Sequence, residues 1–392
     1  MAGLFAGLAL RSTGWDVTIY ERNDVALAGR GAGIVTHPAL VRALEAVGAD
    51  PKSDLGVHVA FRREFSPDGK VRREIPFPQV NTSWDRLFQL LRPLFPDNDY
   101  RLGKEVVAIS ADADAASVRF ADGTEAEGNL IVAADGLRSA VRKFVFPEAA
   151  PAYAGYVAWR GLVEEGALSP AAKACLFDCF SFGLPEGEQF IGYPVAGPHN
   201  DLRPGNRRLN FVWYRPADAP TLARLLTDNS GATHPLGIPP HLIRSEFVAE
   251  TRDAAHRTLA PVLAEAVART PMLFFQPIVD LLIPRMTAAR VAIIGDAAFV
   301  ARPHVGAGVT KAAEDALALA RLLESKATLA EALAAFDAHR QPVGQRIINQ
   351  ARRLGAYMQS QQSTAEERMA AERHRSPDAI LRETASLEFL GR

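Results

Sequence analysis

The sequence predicts an α/β fold in which a layer of parallel strands and helices is interrupted by an inserted mixed β-sheet. Three strand-to-turn junctions carry this expectation. A small-residue helix over residues 3–13, stopped by Gly14, leads into a strand over 16–20 that ends at Glu21-Arg22, the second half of a βαβ unit. A short apolar strand over 130–133 runs into Asp135-Gly136, and another, Val291-Ala292-Ile293-Ile294, runs into Gly295-Asp296. Between the last two junctions, residues 153–277 change character to longer, aromatic-rich strands such as 153–162, 190–195 and 209–214, the pattern of a separate sheet.

Length and composition frame the rest. The chain has 392 residues, enough for two domains or one large fold with an insertion. Its 44 Lys and Arg nearly balance 45 Asp and Glu, so neither a nucleic-acid partner nor a membrane surface is expected. Cys175 and Cys179 are the only cysteines, and no histidines cluster. Neither a disulfide framework nor a metal site is expected, and a reducing cytoplasm suits both thiols. The apolar start at residues 1–10 lacks a basic leader and runs through Arg11 into the first strand, so it reads as fold and not as a signal peptide. No run approaches the roughly 18–20 uncharged apolar residues of a membrane-spanning helix. Helices are expected over 84–95, 308–323 and 329–353, a hairpin turn at Ala121-Asp122-Gly123-Thr124, and an exposed helix and tail over 364–392.

Each junction has a chemistry. Glu21 stands 18 residues after Gly3, the offset between the third glycine of a phosphate-binding turn and the acid that takes ribose hydroxyls. On this spacing the first strand and the first two glycines would precede Met1. Gly3 and Gly7 alternatively let a helix pack closely on a sheet. Asp135-Gly136-Leu137-Arg138-Ser139 sits at a strand-to-helix turn where backbone can approach a phosphate chain, or where Asp135 simply caps the helix. The third junction is the most specific. Asp296 at a strand end can accept from a ribityl hydroxyl, and Arg302-Pro303-His304-Val305-Gly306-Ala307-Gly308 opens a helix whose free N–H groups would favour an anionic ring. No GxSxG nucleophile elbow is present, which leaves a serine hydrolase unsupported.

In order and separation, these three motifs resemble those of the FAD-dependent aromatic-ring hydroxylases, the 4-hydroxybenzoate hydroxylase-like family, over nearly the whole chain. Gly33-Ile34-Val35, residues 153–161, Arg208-Leu209-Asn210-Phe211, Trp213-Tyr214 and Arg302-Pro303-His304 are similar to its hydroxypyridine-hydroxylating members. The resemblance implies a glutathione-reductase-like FAD-binding fold with a mixed β-sheet substrate domain. The FAD-binding domain would occupy 1–150 and 281–355, the substrate domain 151–280, and a C-terminal helix and tail 356–392. It also implies FAD and NAD(P)H as cofactors, a small aromatic substrate and O₂, and ring hydroxylation through a flavin 4a-hydroperoxide. A homodimer is left open.

Carried over by motif, Gly3, Glu21 and Arg22 would serve the adenosine ribose end and Arg86 of Trp84-Asp85-Arg86-Leu87 the phosphates. Asp135 would serve the pyrophosphate side and NAD(P)H approach, and Asp296 the flavin-side ribityl or pyrophosphate. Gly33, Ile34, Gly306, Ala307, Gly308, Val309 and Thr310 would line the isoalloxazine. His304 is the first candidate for assisting ionisation of a ring hydroxyl, with His37, after Gly31-Ala32-Gly33-Ile34, and Tyr193 as further substrate contacts. Trp213 and Tyr214 alternate on one strand, so only one should face the substrate. The competing reading is a flavin-free or vestigial binding protein on the same fold, should Met1 be the true start.

Overall fold

A computed structural model describes residues 1–25, 33–51 and 54–391. Its parallel layer is built from very short strands, of which Val291–Ile293 is fully buried. Ile131–Ala133 pairs in parallel with Val291–Ile293, whose other edge takes Thr287–Ala288; Ile19–Tyr20 pairs in parallel with Tyr100–Arg101. The run 291–294 is apolar at every position, as a strand buried on both faces requires. Helix Gly308–Ser325 brings Ala312, Ala313, Ala316 and Ala320 inward, small side chains that let helix Ala2–Ser12 approach closely. That first helix buries residues 4–10, as a core helix does. Among the described residues, no helix is long and apolar enough to cross a membrane.

The expected hairpin turn at Ala121-Asp122-Gly123-Thr124 forms: Gly123 takes φ +82° and Asp122 accepts from the Thr124 amide at 3.0 Å. It joins two strands of a small antiparallel sheet, Ala116–Phe120 and Glu125–Gly128.

The second layer is a nine-stranded mixed sheet. Strand Ala152–Glu164 is flanked by Phe274–Leu282 and Arg208–Pro216, with Gln189–Val195, the central strand, and Cys179–Gly183 beyond. Strands Val57–Phe65, Val71–Ser83 and Gly33–Val35 extend it, so the early part of the chain contributes to the sheet as well. Alternation sets the two faces. Val157, Trp159, Phe190, Phe211, Trp213 and Phe275 pack against helices Pro170–Leu176, Ser245–Thr258 and Pro261–Arg269. Tyr156, Ala158, Phe180, Ile191, Tyr193 and Tyr214 occupy the opposite face. Trp213 and Tyr214 therefore part as expected, and only Tyr214 faces the cleft described below. Gly161 exists for the first face: a β-carbon there would stand 2.5 Å from the Phe211 ring.

The charged C-terminal segment departs from the expected exposed helix and tail. Ala371, His374, Ile380, Leu381, Ala385 and Leu387 are buried, against the second face of the sheet. The anchor is Arg62, fully buried, which donates to the carbonyls of Leu381 and Thr384 at 2.6 Å each and lies 3.6 Å from the centre of the Phe77 ring. The acidic and basic side chains of the segment mask this, because its contact with the sheet is made through main-chain carbonyls and a few alanines and leucines.

The helix-covered face makes a quantitative prediction. Phe211→Ala removes a ring stacked on Phe190 at 5.3 Å and packed beside Gly161, and should cost roughly 3–5 kcal/mol of unfolding free energy. Urea unfolding checks this; an unchanged midpoint would contradict the packing described.

Candidate active site

A cleft of about 1730 Å³ lies between the parallel layer and the second face of the large sheet. Its floor is organised by the Gly295-Asp296 turn. Gly295 has φ +60°, and a β-carbon there would meet Ala2 and Ala312 at 3.1 and 3.2 Å, so only glycine fits. Its amide donates to Asp315 Oδ2 at 3.0 Å, while Asp315 Oδ1 receives Arg340 Nε at 2.7 Å. Asp296 lines the cleft with its side chain half exposed, and its Oδ1 lies 2.7 Å from the buried Lys311 Nζ, which also donates to the Phe299 carbonyl.

The Gly306–Gly308 turn follows. Gly306 takes φ +63°, and a β-carbon there would press on Ala385 at 3.1 Å and on His37 Nε2 at 3.4 Å. His37 is buried and donates from Nε2 to the Gly306 carbonyl at 3.2 Å. It is absent from the cleft lining, so it supports the turn from behind. Gly308 has open space where a side chain would stand, and no side chain caps the helix it begins. Unclaimed N–H groups and room for close approach are what a planar anionic group requires. Ala307 and Val309 line the cleft with Gly306 and Gly308. Thr310 turns into the core instead, its Oγ1 buried without a partner among the described residues.

The Asp135-Gly136 turn forms one wall. Gly136 has φ +74°, and Asp135 Oδ2 accepts from the Ala140 and Val141 amides at 2.7 and 3.3 Å. The helix cap itself is Ser139, whose Oγ accepts from the Arg142 amide at 2.9 Å; Asp135 adds bonds to the first two helical amides while lining the cleft. Arg142 donates to the Leu137 and Ala297 carbonyls and so ties this turn to the Gly295 turn. At the far end, Gly3, Glu21 and Arg22 line the cleft. Glu21 accepts from the Asn23 amide at 3.0 Å. Gly7 serves packing: a β-carbon there would stand 2.8 Å from Ile19 and Phe95. Arg86 is not among the lining residues; its Nε donates to the Asp54 carbonyl at 2.9 Å.

The sheet side of the cleft holds an aromatic pocket. Gly33 and Ile34 border it, the Gly33 amide donating to Asn210 Oδ1 at 3.0 Å, and a β-carbon on Gly33 would strike the Tyr193 ring at 2.6 Å. Gly31 and Ala32 lie outside the described residues. Phe180 stacks on Tyr193 at 4.9 Å. His304 is buried at the base, its Nε2 2.7 Å from Tyr156 Oη and its ring 4.5 Å from that of Tyr214. His304 Nδ1 has no partner among the described residues. The Tyr193 hydroxyl is pushed up to about 12 by burial; it is neutral at physiological pH.

The residues to which the sequence reading gave no role of their own are the supports: Lys311, Asp315, Arg340, Arg142 and Asn210. Lys311 and Asp315 stand four apart on an otherwise apolar helix face, and that spacing was the available signal.

Burial lowers His37 to about 4, and burial with the Arg302 charge lowers His304 to about 3. An unfolded chain takes up these protons near pH 6.5 while the folded chain does not, so stability falls as pH drops below that value. For His37 alone the penalty at pH 4.5 is roughly 2 kcal/mol. His37→Gln, which keeps a donor for Gly306, should therefore lose less stability than the parent between pH 7 and 4.5, as read from urea unfolding at each pH. Equal losses would contradict the assignment.

Comparison with known proteins places this architecture. Residues 244–351 match an FAD binding domain model and residues 153–280 an FAD binding domain-like model. The 2,6-dihydroxypyridine 3-monooxygenase of Paenarthrobacter nicotinovorans is 32% identical over 360 residues, covering 92% of this chain and 89% of that protein. Salicylate hydroxylase of Pseudomonas putida is 28% identical over 81% of this chain and 74% of its own length. The solved 2,6-dihydroxypyridine-3-hydroxylase from Arthrobacter nicotinovorans superposes with a TM-score of 0.85 at 31% identity, over 93% of each chain. With its three turns converging on one cleft and this degree of likeness, the chain belongs to the FAD-dependent aromatic-ring hydroxylases.

Proposed function

We propose that this monooxygenase hydroxylates an electron-rich ring bearing a hydroxyl group, with hydroxypyridines as the substrate class and NAD(P)H as reductant. The observation that carries the reading is the aromatic pocket opening directly beside the Gly306–Gly308 turn. The residues present fit the cofactor: Gly308 leaves open space, the helix behind it is uncapped, and Asp296 stands half exposed on the floor. Asp296 would hold the ribityl side, Glu21 the adenosine ribose, and Asp135 the pyrophosphate side, with residues 306–309 against the ring system. Nothing in the placement of Arg86 supports a cofactor role for it. When bound, FAD reduced by NAD(P)H supplies the activation of O₂ and the oxygen atom transferred.

The protein's own contribution is position and dryness. Phe180, Ile191, Val212 and Ile278 wall the pocket with apolar surface and exclude water. Thr384 and Ala385 of the C-terminal segment line its edge. His304, held neutral down to about pH 3, is too weak a base to store a substrate proton. Its role in this reading is to orient a ring substituent by hydrogen bonding, backed by Tyr156. Tyr193 and Tyr214 offer phenols toward the same ring, and their hydroxyls bond to no described residue.

The test uses FAD-loaded protein and a panel of rings. Hydroxylated pyridines should accelerate NAD(P)H oxidation and leave with one added oxygen, whereas unsubstituted pyridine should do neither. Failure of every hydroxylated pyridine to gain oxygen, with turnover of hydroxybenzoates instead, would overturn the substrate class.

A further inference from the structure

The pocket face of the large sheet carries a guanidinium without a counter-ion. Arg160 follows Tyr156 and Ala158 in alternation on strand Ala152–Glu164, opposite Val212 and Phe274 of the neighbouring strands, and it lines the cleft. One of its terminal nitrogens donates to Gln276 Oε1 at 2.8 Å. Its Nε is buried without a hydrogen-bond partner among the described residues. Among the described residues, no carboxylate comes within ion-pair distance of it. On the same sheet Arg63 pairs with Glu74 and Asp178, Arg73 with Glu64 and Arg215 with Glu188, whereas Arg62 and Arg208 have no carboxylate partner among the described residues and donate to main-chain carbonyls instead. Arg160 is also the cation whose charge opposes the burial-driven rise of the Tyr193 and Tyr214 phenols, so its field reaches both rings of the pocket.

A half-buried guanidinium with a desolvated, unmet donor in an aromatic pocket is a site for an anion, because charge-assisted hydrogen bonds to oxygen are the contacts such a group makes best. We propose that Arg160 is the substrate-recognition group of this pocket, selecting aromatic rings that carry an anionic oxygen, either an ionised ring hydroxyl or a ring carboxylate. The inference rests on the aromatic-hydroxylase reading and deepens it by naming the charge state in which the ring is held. Gln276 fixes one side of the guanidinium and leaves the other for the ligand. An ionised hydroxyl held in this way keeps its negative charge in the ring, which favours attack by the ring on an electrophilic oxygen. A carboxylate would serve for anchoring alone.

The experiment is calorimetric titration of FAD-loaded parent, Arg160→Met and Arg160→Lys with three probes: a dihydroxypyridine, its neutral O-methylated counterpart, and a hydroxybenzoate. Arg160→Met should weaken binding of the anionic ring roughly ten- to a hundredfold, the range for losing a charged hydrogen bond, while the neutral ring changes little. Arg160→Lys should recover part of the loss. Whichever anionic probe suffers the larger loss identifies the oxygen recognised. Equal weakening of charged and neutral rings, or no weakening, overturns the proposal. If Arg160→Met fails to hold FAD, the same charged-to-neutral ratio is read from Arg160→Gln. Product formation by the parent is measured separately: a parent that oxygenates no ring defeats the hydroxylase reading itself, whereas an active parent with an unselective variant defeats only the role of Arg160.

Discussion

The carboxylate of Asp315 is the contact on which the arrangement of the cleft depends. Fully buried, it accepts the Gly295 amide with one oxygen and Arg340 with the other. Three successive chain segments are thereby fixed to one another: the strand-end turn at 295–296, the helix Gly308–Ser325 and the helix Leu329–Gly355. Burying such a pair is expensive in desolvation, so its worth is in specifying geometry more than in net stability. Lys311, one turn earlier, does the same for Asp296. A cleft-facing carboxylate at a sharp glycine turn would otherwise have many orientations available.

The second half of the site is assembled from the other end of the chain. Arg62 pins the carbonyls of Leu381 and Thr384, and the Ala385 amide donates to the His304 carbonyl at 2.7 Å. Asp280, buried, takes Arg302 and Arg352 together. The result is that the segment carrying His304 is held by the C-terminal segment on one side and by the sheet on the other. Gly306, pressed between Ala385 and His37, is the point where these restraints meet the helix start.

Much of this was legible in the sequence, and the limits have physical causes. The three strand-to-turn junctions were readable because each needs a glycine at positive φ or an acid at a strand end, and Gly136, Gly295 and Gly306 all take that conformation. Apolar alternation gave the face of Trp213 against that of Tyr214. His37 was visible only as a histidine near a glycine-rich stretch; its bond to Gly306, 269 positions away, has no local signature. Asp135 could not be divided between helix-start acceptor and ligand, since the same geometry supports both. The buried C-terminal segment was hidden because it is bound by backbone carbonyls, which every sequence has. Arg160 was read only as part of a strand and of a stretch carrying the family resemblance, because an unmet charge is a property of its surroundings.

The central claim is that Asp315 serves the cofactor through the Gly295-Asp296 turn. A double-mutant cycle on the FAD dissociation constant, with Asp315→Asn and Asp296→Asn made singly and together, tests it directly. Residues acting through one turn should be coupled, with an interaction free energy of about 0.5–3 kcal/mol, so that losing Asp296 matters less once Asp315 is gone. Additive losses would mean that Asp315 supports the fold without shaping the site.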